Sequence, residues 1–218
     1  MAIQAVLFDV IGTTVKETDP QMINHCFQQA FVDHHIEVDP RILSDNRGRD
    51  KKEVIQSIVE SNSLPLTNVD SVYWSFKQLF IARINEFKAN DGAEEMFSFL
   101  RQHHVMIGLG TGLPRDLFEK VLSHLGWNKI MFDYIGIGAE LKGTRPDPAM
   151  IIDMMSKLNL SDSRRFLKVG DTRADIQEGR NAGTLTVAIL SGTQDQAMLE
   201  KEKPDYLINH LLDLKKIF

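Results

Sequence analysis

Short runs of strand-forming residues alternate along this chain with segments of helical periodicity, and this alternation constrains the fold more than any other feature. Six runs are almost continuously apolar, as in strands that are covered on both faces. They are Ala5–Phe8, Met106–Leu109, Tyr134–Ile137, Phe166–Val169, Thr186–Leu190 and Tyr206–Ile208. Helical patterns lie between most of these runs. The alternation therefore predicts an α/β fold built on a doubly wound parallel sheet.

Two of the helical patterns have recognisable ends. Residues Asp116–Leu125 place apolar side chains on one side, and Gly126 follows as a stop signal. Asp147 and Pro148 predict an N-cap and a first-turn proline for another helix. The apolar side chains of that helix that are expected to face inward are Ile151, Ile152, Met155 and Leu158.

The stretch between the first and second strands breaks the alternation. Residues 16–89 contain helical patterns and no convincing strand, which predicts an all-helical insertion with hinges near residues 16–20 and 88–92. The helical patterns are Gln21–His34, Lys51–Ser61 and Ser71–Phe87, and loops are expected over Asp39–Arg49 and Leu64–Asp70. The prediction divides the chain into a core domain of residues 1–15 and 90–218 and a helical domain of residues 16–89.

Composition narrows the classes of function. A net charge of −5 over 218 residues gives no support for a nucleic-acid or membrane surface, since both favour a basic face. Cys26 is the only cysteine, which excludes an internal disulfide and favours a reducing compartment. We find no signal-peptide pattern and no apolar run of membrane-spanning length. We therefore expect a cytoplasmic protein without nucleic-acid or membrane partners.

Polar residues follow four of the predicted strands. Asp9 comes directly after the first strand, and Gly110–Arg115 follows the second. Gly143–Pro148 lies a little after the third strand, and Gly170–Asp175 follows the fourth. Because the carboxyl ends of parallel strands meet at one edge of a sheet, we expect these four segments to converge there.

The converging residues form a coherent set of parts for phosphoryl chemistry. Asp9 and Asp171 offer the carboxylate oxygens that Mg²⁺ prefers, and Asp175 can orient a ligand or bind the metal through water. Thr111 and the backbone N–H groups around it can donate hydrogen bonds to phosphoryl oxygens. Arg145 can offset the negative charge of the phosphoryl group and of a nucleophile. The four segments together predict a magnesium-dependent site.

These motifs resemble those of the haloacid dehalogenase-like hydrolases, and the resemblance covers nearly the whole chain. It implies a Rossmann-like core with a helical cap after the first motif, which matches residues 16–89. It implies that Asp9 is the nucleophile and a metal ligand, joined by the backbone carbonyl of Ile11 and by Asp171. Asp175, inferred above from its place at the strand ends, is the further candidate for the Mg²⁺ site.

The resemblance also assigns groups that bind the substrate. Thr111 and Gly112 match the family's phosphate-binding motif, and Arg145 stands where most members carry lysine and where phosphonate hydrolases carry arginine. Several segments look most similar to the phosphonoacetaldehyde hydrolase branch. They are Thr111-Gly112 followed by Arg115, Arg145-Pro146, the block from Lys168 to Gly183, and Leu190-Ser191-Gly192. The implied substrate is a small phosphonate or phosphorylated metabolite.

Ile11 stands where phosphatases of this family carry a second aspartate that acts as general acid and base. A positioned acid or base contributes about 10²–10⁴-fold to a rate, and isoleucine can do neither job. A phosphonate with a β-carbonyl group has another route, because a lysine that condenses with the carbonyl forms an iminium group that accepts the electrons of the departing carbon. The phosphonoacetaldehyde hydrolase branch has alanine at the position of Ile11 and uses a lysine of its cap.

The candidate for that lysine is Lys51, three residues after Gly48. A Schiff-base lysine needs a pKa lowered by burial or by neighbouring cations, and Arg47 and Lys52 can contribute positive charge. The branch's histidine three residues after the lysine is Val54 here, and its methionine four residues before is Arg47. In the alternative interpretation, Lys51 and Lys52 begin a helix on a solvated face.

Three hypotheses for the function are therefore open. The first is a Mg²⁺-dependent, phosphonatase-like hydrolase that uses Asp9 as its nucleophile. The second is a phosphomonoester phosphatase whose proton donor comes from the cap or from the substrate. The third is a catalytically degenerate protein that binds a phosphorylated ligand or a partner. The substrate's identity and the oligomeric state, monomer or homodimer, do not follow from the sequence.

Overall fold

Eight strands and nine α-helices make up the part of the chain that the structure describes, residues 2–218 of a computed structural model. The strands are β1 (Ala5–Asp9), β2 (Val15–Glu17), β3 (Phe87–Ala89), β4 (Met106–Thr111), β5 (Tyr134–Ile137), β6 (Phe166–Gly170), β7 (Leu185–Ile189) and β8 (Tyr206–Ile208). The helices are α1 (Met22–Val32), α2 (Pro40–Asp45), α3 (Lys51–Ser61), α4 (Thr67–Ala82), α5 (Ala93–Gln102), α6 (Arg115–Leu125), α7 (Ala149–Lys157), α8 (Arg173–Asn181) and α9 (Gln196–Lys201).

The predicted parallel sheet is confirmed. Six strands pair in the order β5-β4-β1-β6-β7-β8, and every pairing is parallel. They are the six predicted runs, with ends that differ by at most two residues. Strands β4 and β5 lie on one side of β1, and strands β6, β7 and β8 lie on the other side. Asp9, at the end of the central strand, lies beside Gly110 of β4. This is the crevice at which open α/β sheets bind their ligands.

The sequence of β1 is continuously apolar because both of its faces are covered. Phe8 packs on the side of α5, where its ring meets that of Phe97 edge-on at 5.7 Å between centroids. Leu7 points to the opposite side and packs with Met150 and Met154 of α7. Burial of alternate residues against different helix layers is the reason that the strand shows no two-residue polar alternation.

Four helices, α1 to α4, lie between β2 and β3, and we refer to them as the helical insert. Strands β2 and β3 pair antiparallel, with Val15 opposite Ala89 and Glu17 opposite Phe87, so the chain leaves the core and returns to it at one place. Inside the insert α4 packs against α1 and α3. The sequence analysis missed β2 and β3, which have three residues each, and placed α2 in a loop. Elements this short carry too few residues to show a period.

Helix α7 differs in phase from its prediction. It begins at Ala149, whose N–H donates to the side chain of Asp147 at 2.9 Å. The fully buried residues are Met150, Ile151 and Met154, and Ile152 is 56% exposed. The inward face was therefore assigned wrongly at Ile152, since the two methionines cover the glycines of the neighbouring strands.

Other ends agree better with prediction. Gly126 adopts the left-handed conformation that ends α6, with φ +70°, whereas α4 begins at Thr67, four residues before its predicted start. Across residues 2–218, none of the helices combines the length and the apolar character that crossing a membrane requires.

Candidate active site

The carboxyl ends of β1 and β6 and the first turn of α8 bring three carboxylates together. Asp9 ends β1, Asp171 directly follows β6, and Asp175 lies in the first turn of α8. Each offers an oxygen, and these oxygens all lie within 4.8 Å of one another. All three side chains are buried. The fold thus gathers three of the four residues that the sequence analysis names as candidates for the metal site.

Asp171 is held by donors from two loops. The hydroxyl of Thr13 donates to one of its oxygens at 3.1 Å, and Thr193 donates to the other from its backbone N–H at 2.8 Å and its hydroxyl at 2.5 Å. Gly12 and Gly192 lie so close that a Cβ at either position would overlap the carboxylate. The glycine of the first motif is therefore needed to admit Asp171 beside Asp9.

Asp175 belongs to the capping box that begins α8. One of its oxygens accepts from the backbone N–H of Thr172 at 3.2 Å and from the Thr172 hydroxyl at 2.5 Å. The other oxygen lies 2.8 Å from both Arg145 and Lys168. Both oxygens therefore have partners already, and Asp175 serves the local helix start as well as the site.

Arg145 comes from the loop between β5 and α7, and its guanidinium group contacts the carboxylate of Asp9. Its Nη1 lies 2.5 Å from Asp9 and 2.8 Å from Asp175, and its Nε lies 3.3 Å from Glu178. It is 3% exposed and is not among the residues that line the cavity described below. In this conformation Arg145 is a charge partner of Asp9, and its predicted contact with substrate stays a prediction.

Two charged residues that the sequence analysis assigned no role complete the site. Lys168 in β6 and Glu178 in α8 are fully buried. The Lys168 ammonium lies 2.8 Å from Asp175 and 3.1 Å from Glu178. A signal was present in the sequence, because Lys168 interrupts an otherwise apolar buried strand and Glu178 stands one helical turn after Asp175.

Burial dominates the electrostatics of the carboxylates. It raises the pKa of Asp9 to about 7, with Asp175 and Asp171 adding to the rise and Arg145 opposing it. Burial also raises the pKa of Asp171. Burial alone would raise the pKa of Asp175, but the cations of Lys168 and Arg145 bring it below its ordinary value. Two carboxyl groups therefore hold their protons unusually tightly.

The charges of this cluster fit a bound divalent cation. Four buried carboxylates, those of Asp9, Asp171, Asp175 and Glu178, face the two cations Arg145 and Lys168. The difference is two negative charges, which one Mg²⁺ ion would neutralise. The donors are carboxylate oxygens, which hard cations prefer. The role of the Ile11 carbonyl as a further ligand stays a prediction.

A small cavity of about 20 Å³ opens beside Asp9. The core contributes Asp9, Ile11, Thr111 and Gly112 to its wall. The Thr111 hydroxyl accepts from the backbone N–H of Leu113 at 3.0 Å, so its own hydrogen can turn toward the cavity. The helical insert supplies the opposite wall.

Lys51 stands in that opposite wall. It is the first residue of α3 and is 8% exposed, and its Nζ donates to the carbonyl of Arg49 at 3.0 Å. Burial lowers the pKa of Lys51 from 10.5 to about 8, helped by the positive charges of Arg47 and Arg145 and opposed by Asp9 and Asp50. Lys51 therefore does not lie on a solvated face.

The neighbours of Lys51 separate the two lysines that begin α3. The side chain of Asp50 caps the helix by accepting from the N–H groups of Lys52 and Glu53. Lys52 points outward and pairs with Asp70 at 2.8 Å, with half of its side chain exposed. The solvated-face interpretation thus holds for Lys52 alone.

Arg47 and Val54 are the two residues near Lys51 that differ from the pattern of the phosphonoacetaldehyde hydrolase branch, and only one of them lines the cavity. Arg47 lines the cavity and forms a buried ion pair with Glu17 of β2, and its Nη1 donates to the carbonyl of Pro20 at 3.1 Å. Val54 is buried in the core of the insert and does not line the cavity. Of these two residues, Arg47 is therefore the one that can affect Lys51, whose pKa its positive charge lowers.

The insert lies directly on the core motifs. A Cβ at Gly112 would overlap the carbonyl of Arg49, and one at Gly48 would overlap the hydroxyl of Thr172. The Thr144 hydroxyl, next to Arg145 in sequence, donates to Glu53 of α3 at 2.5 Å. The two walls of the cavity are thus joined by contacts between short side chains and backbone.

Known proteins resemble this chain along almost its whole length. A phosphonoacetaldehyde hydrolase from Bacillus cytotoxicus is 26% identical over 215 residues, which cover 93% of this chain and 81% of that protein. The crystal structure of a hydrolase from Pseudomonas syringae superposes with a TM-score of 0.86 at 18% identity, over 98% of this chain and 96% of that one. A phosphonoacetaldehyde hydrolase-like protein from Oleispira antarctica superposes with a TM-score of 0.84 at 18% identity, over 100% of this chain and 91% of that one.

The sequence also matches a model of a protein family over residues 6–189, a span that includes Asp9, Thr111, Arg145, Asp171 and Asp175. The description of that family is haloacid dehalogenase-like hydrolase. The matching residues hold the carboxylate cluster, the Thr111-Gly112 segment and Arg145 in one site. The chain belongs to the haloacid dehalogenase-like hydrolase family.

Proposed function

We propose that this protein is a Mg²⁺-dependent hydrolase that cleaves the carbon–phosphorus bond of a small phosphonate with a β-carbonyl group. The observation that carries the proposal is that Asp9 of the core and Lys51 of the helical insert line a single cavity. Among the described residues that line this cavity, Asp9 is the only carboxylate and none is a histidine. Lys51 is thus the group available to activate the substrate where Ile11 replaces the usual acid.

The pKa of Lys51 suits this role. An amine attacks a carbonyl only when it is unprotonated, and at a pKa of about 8 a useful fraction is neutral near physiological pH. Attack by Nζ and loss of water give an iminium group on the substrate. Its positive nitrogen can take up the electron pair of the carbon–phosphorus bond, so that the departing carbon needs no proton in that step.

Asp9 then acts as the nucleophile. One of its oxygens attacks phosphorus, the carbon–phosphorus bond breaks, and its electrons form an enamine on Lys51. Water hydrolyses the aspartyl-phosphate to phosphate, the enamine carbon takes up a proton, and a second water releases the aldehyde from Lys51. Arg145 favours the ionised form of Asp9. Thr111 and the backbone of Gly112 are placed to bind phosphoryl oxygens.

The cation fits this scheme as a source of charge. When Mg²⁺ is bound by Asp9, Asp171 and Asp175, it offsets the negative charge that these carboxylates share with a phosphoryl group. We also propose that residues 16–89 act as the cap of the site, since their wall of the cavity carries Lys51 and Arg47. The related phosphonoacetaldehyde hydrolases support the assignment of substrate class.

A second candidate is a phosphomonoester phosphatase in which Lys51 donates the proton to the leaving oxygen. The lowered pKa of Lys51 favours it, because an ammonium group with a pKa of about 8 is a better acid than an ordinary lysine. In this scheme no covalent bond forms between Lys51 and the substrate.

One assay separates the candidates. The protein with Mg²⁺ is offered phosphonoacetaldehyde and a panel of sugar and aryl phosphates, and adducts are trapped with borohydride and mapped by mass spectrometry. We expect phosphonate turnover and a trapped adduct at Lys51. Both should disappear in Lys51→Ala and persist in Lys52→Ala, the matched control on the exposed side of the helix.

The other results are equally definite. Ester turnover without a trapped adduct would replace the first proposal by the second. Saturable binding of Mg²⁺ and inorganic phosphate without turnover of any compound would show a degenerate binding protein. Turnover that survives Asp9→Asn would exclude the aspartate mechanism in either form.

A further inference from the structure

Four buried charges form a closed ring behind Asp9. Arg145 and Lys168 each contact both Asp175 and Glu178, at distances between 2.8 and 3.3 Å. None of these four side chains is more than 3% exposed. Asp9 is attached to this ring through Arg145 alone. In these contacts Lys168 and Glu178 are therefore connected to Asp9 only through Arg145.

Lys168 and Glu178, the two members of the ring farther from Asp9 in this chain of contacts, have no evident structural purpose. Burying an ion pair gains little stability, because the loss of hydration offsets the attraction between the charges. Lys168 stands in the middle of β6, between Leu167 and Val169, where every residue is buried. Glu178 of α8 is likewise fully buried. A pair that folding does not need, placed behind the nucleophile, points to a role in the site.

The geometry shows what the pair does to Arg145. A guanidinium group is a planar fork, and fixing two of its nitrogens fixes the plane. Nη1 lies against Asp9 and Asp175, while Nε lies against Glu178. Nε, Nη2 and both oxygens of Glu178 are buried and make no hydrogen bond, so Nε and Glu178 interact through their charges alone. Glu178 attracts the Nε side of the fork, and Lys168 neutralises Glu178 so that Arg145 is not drawn away from Asp9.

We propose that Lys168 and Glu178 are positioning residues for Arg145, and through it for the nucleophile Asp9. This inference rests on the proposed function only in that it takes Asp9 to be the nucleophile. Lysine has a single nitrogen and no fork to orient. Lys168 and Glu178 are therefore useful only when position 145 is arginine, and their effect on activity should depend on that arginine.

A double-mutant cycle tests this dependence. We expect Glu178→Gln and Lys168→Met each to lower kcat by roughly 10²-fold with little change in KM, since misplacing a catalytic group by about 1 Å costs that much. The Lys168→Met/Glu178→Gln double variant should recover thermal stability, because it leaves neither charge unpaired, but its kcat should stay low, because Arg145 has lost its Glu178 contact. In an Arg145→Lys background, Glu178→Gln should change kcat by less than about 3-fold.

The control and the contrary result follow from the same cycle. Glu202→Gln removes a carboxylate that pairs with Arg173 of α8 at 2.8 Å and does not touch Arg145, so it should leave kcat unchanged in both backgrounds. Thermal unfolding of every variant separates loss of folding from loss of turnover. If Glu178→Gln lowered kcat equally in the wild-type and in the Arg145→Lys background, the pair would be structural and the proposal would be wrong.

A second readout does not depend on the phosphonate substrate. Beryllium fluoride with Mg²⁺ forms an acyl-phosphate mimic on a correctly placed aspartate, and fluorine NMR reports its affinity. We expect the affinity to fall at least about 10-fold in Glu178→Gln, the loss expected for a misplaced group, and to be unaffected by Glu202→Gln. If wild type forms the adduct but does not turn over phosphonoacetaldehyde, the proposed substrate fails and the positioning role stands. An unchanged affinity in Glu178→Gln would overturn the positioning role.

Discussion

The backbone N–H of Lys51 donates a hydrogen bond to the backbone carbonyl of Gly112, 3.3 Å away. The first residue of α3 is therefore seated on the loop that follows β4. The two residues belong to opposite walls of the cavity, so this bond fixes the position of the candidate Schiff-base lysine relative to Thr111-Gly112, the proposed phosphate-binding segment. The contact requires glycine, since a Cβ at position 112 would overlap the carbonyl of Arg49.

Gly112→Ala should therefore separate the two walls. We expect kcat/KM to fall by at least about 10-fold, because the added methyl group displaces Lys51 from the substrate. Gly138→Ala is the matched control, because the nearest atom to its Cβ would be the Thr111 carbonyl oxygen at an ordinary 3.5 Å. Equal kinetics for the two variants would show that the contact does not limit the reaction.

Restoring a carboxylate at position 11 should change which substrate is preferred. Ile11 lines the cavity beside Asp9, where an acid could protonate a leaving oxygen and activate water. We expect Ile11→Asp to raise steady-state hydrolysis of 4-nitrophenyl phosphate by roughly 10²–10⁴-fold. Ile11→Asn provides the control for size and polarity. A rate that is the same in all three proteins would mean that the missing acid is not the limiting group.

The trapping of Lys51 should depend on pH in a defined direction. Only the neutral amine condenses with a carbonyl, so the trapping rate should rise through pH 8 and level off above it. Removing the nearby guanidinium in an Arg47→Met/Glu17→Gln double variant should move the midpoint upward, since a positive charge that disfavours the ammonium form is lost. The second substitution keeps Glu17 from being buried without its partner. A midpoint near the ordinary value of 10.5 in the wild type would contradict the burial of Lys51.

The stability of the metal-free protein should fall as the pH rises through neutrality. The pKa of Asp9 is about 7 in the folded protein and 3.8 without the fold, so the folded state holds a proton that the unfolded chain has lost. The stability that this proton contributes is complete below about pH 4 and is lost as the pH passes 7. Asp9→Asn, which cannot ionise, should reduce the fall in melting temperature between about pH 5 and about pH 8.

Adding Mg²⁺ should reverse this trend. The ion binds the ionised carboxylates, so its stabilising effect should grow with pH, and its binding should release protons to the buffer.

At about pH 8 we expect Asp9→Asn to stabilise the metal-free protein by at least ~1 kcal/mol, or roughly 2–4 °C in Tm for a chain of this size. A metal-free melting temperature that does not change with pH would contradict the raised pKa of Asp9.

Much of the architecture could be predicted because its signals are local. Ala5–Phe8 is apolar without interruption since β1 is covered on both faces, and that pattern is visible in four adjacent residues. Asp9, Thr111 and Asp171 lie at or just after strand ends, and the topology of a parallel sheet brings such ends to one edge. The family membership of the chain rests on the same motifs.

The amino-acid sequence alone thus specifies the sheet, the helical insert and the edge at which three carboxylates meet. Which charges are buried at that edge depends on tertiary packing. Lys51 and Lys52 are adjacent and chemically identical, yet one faces the cavity that Asp9 lines and the other faces water. Lys168 and Glu178 find their partners across different elements. The free energy of a buried charge depends on the groups that the fold places around it, and no local pattern contains that information.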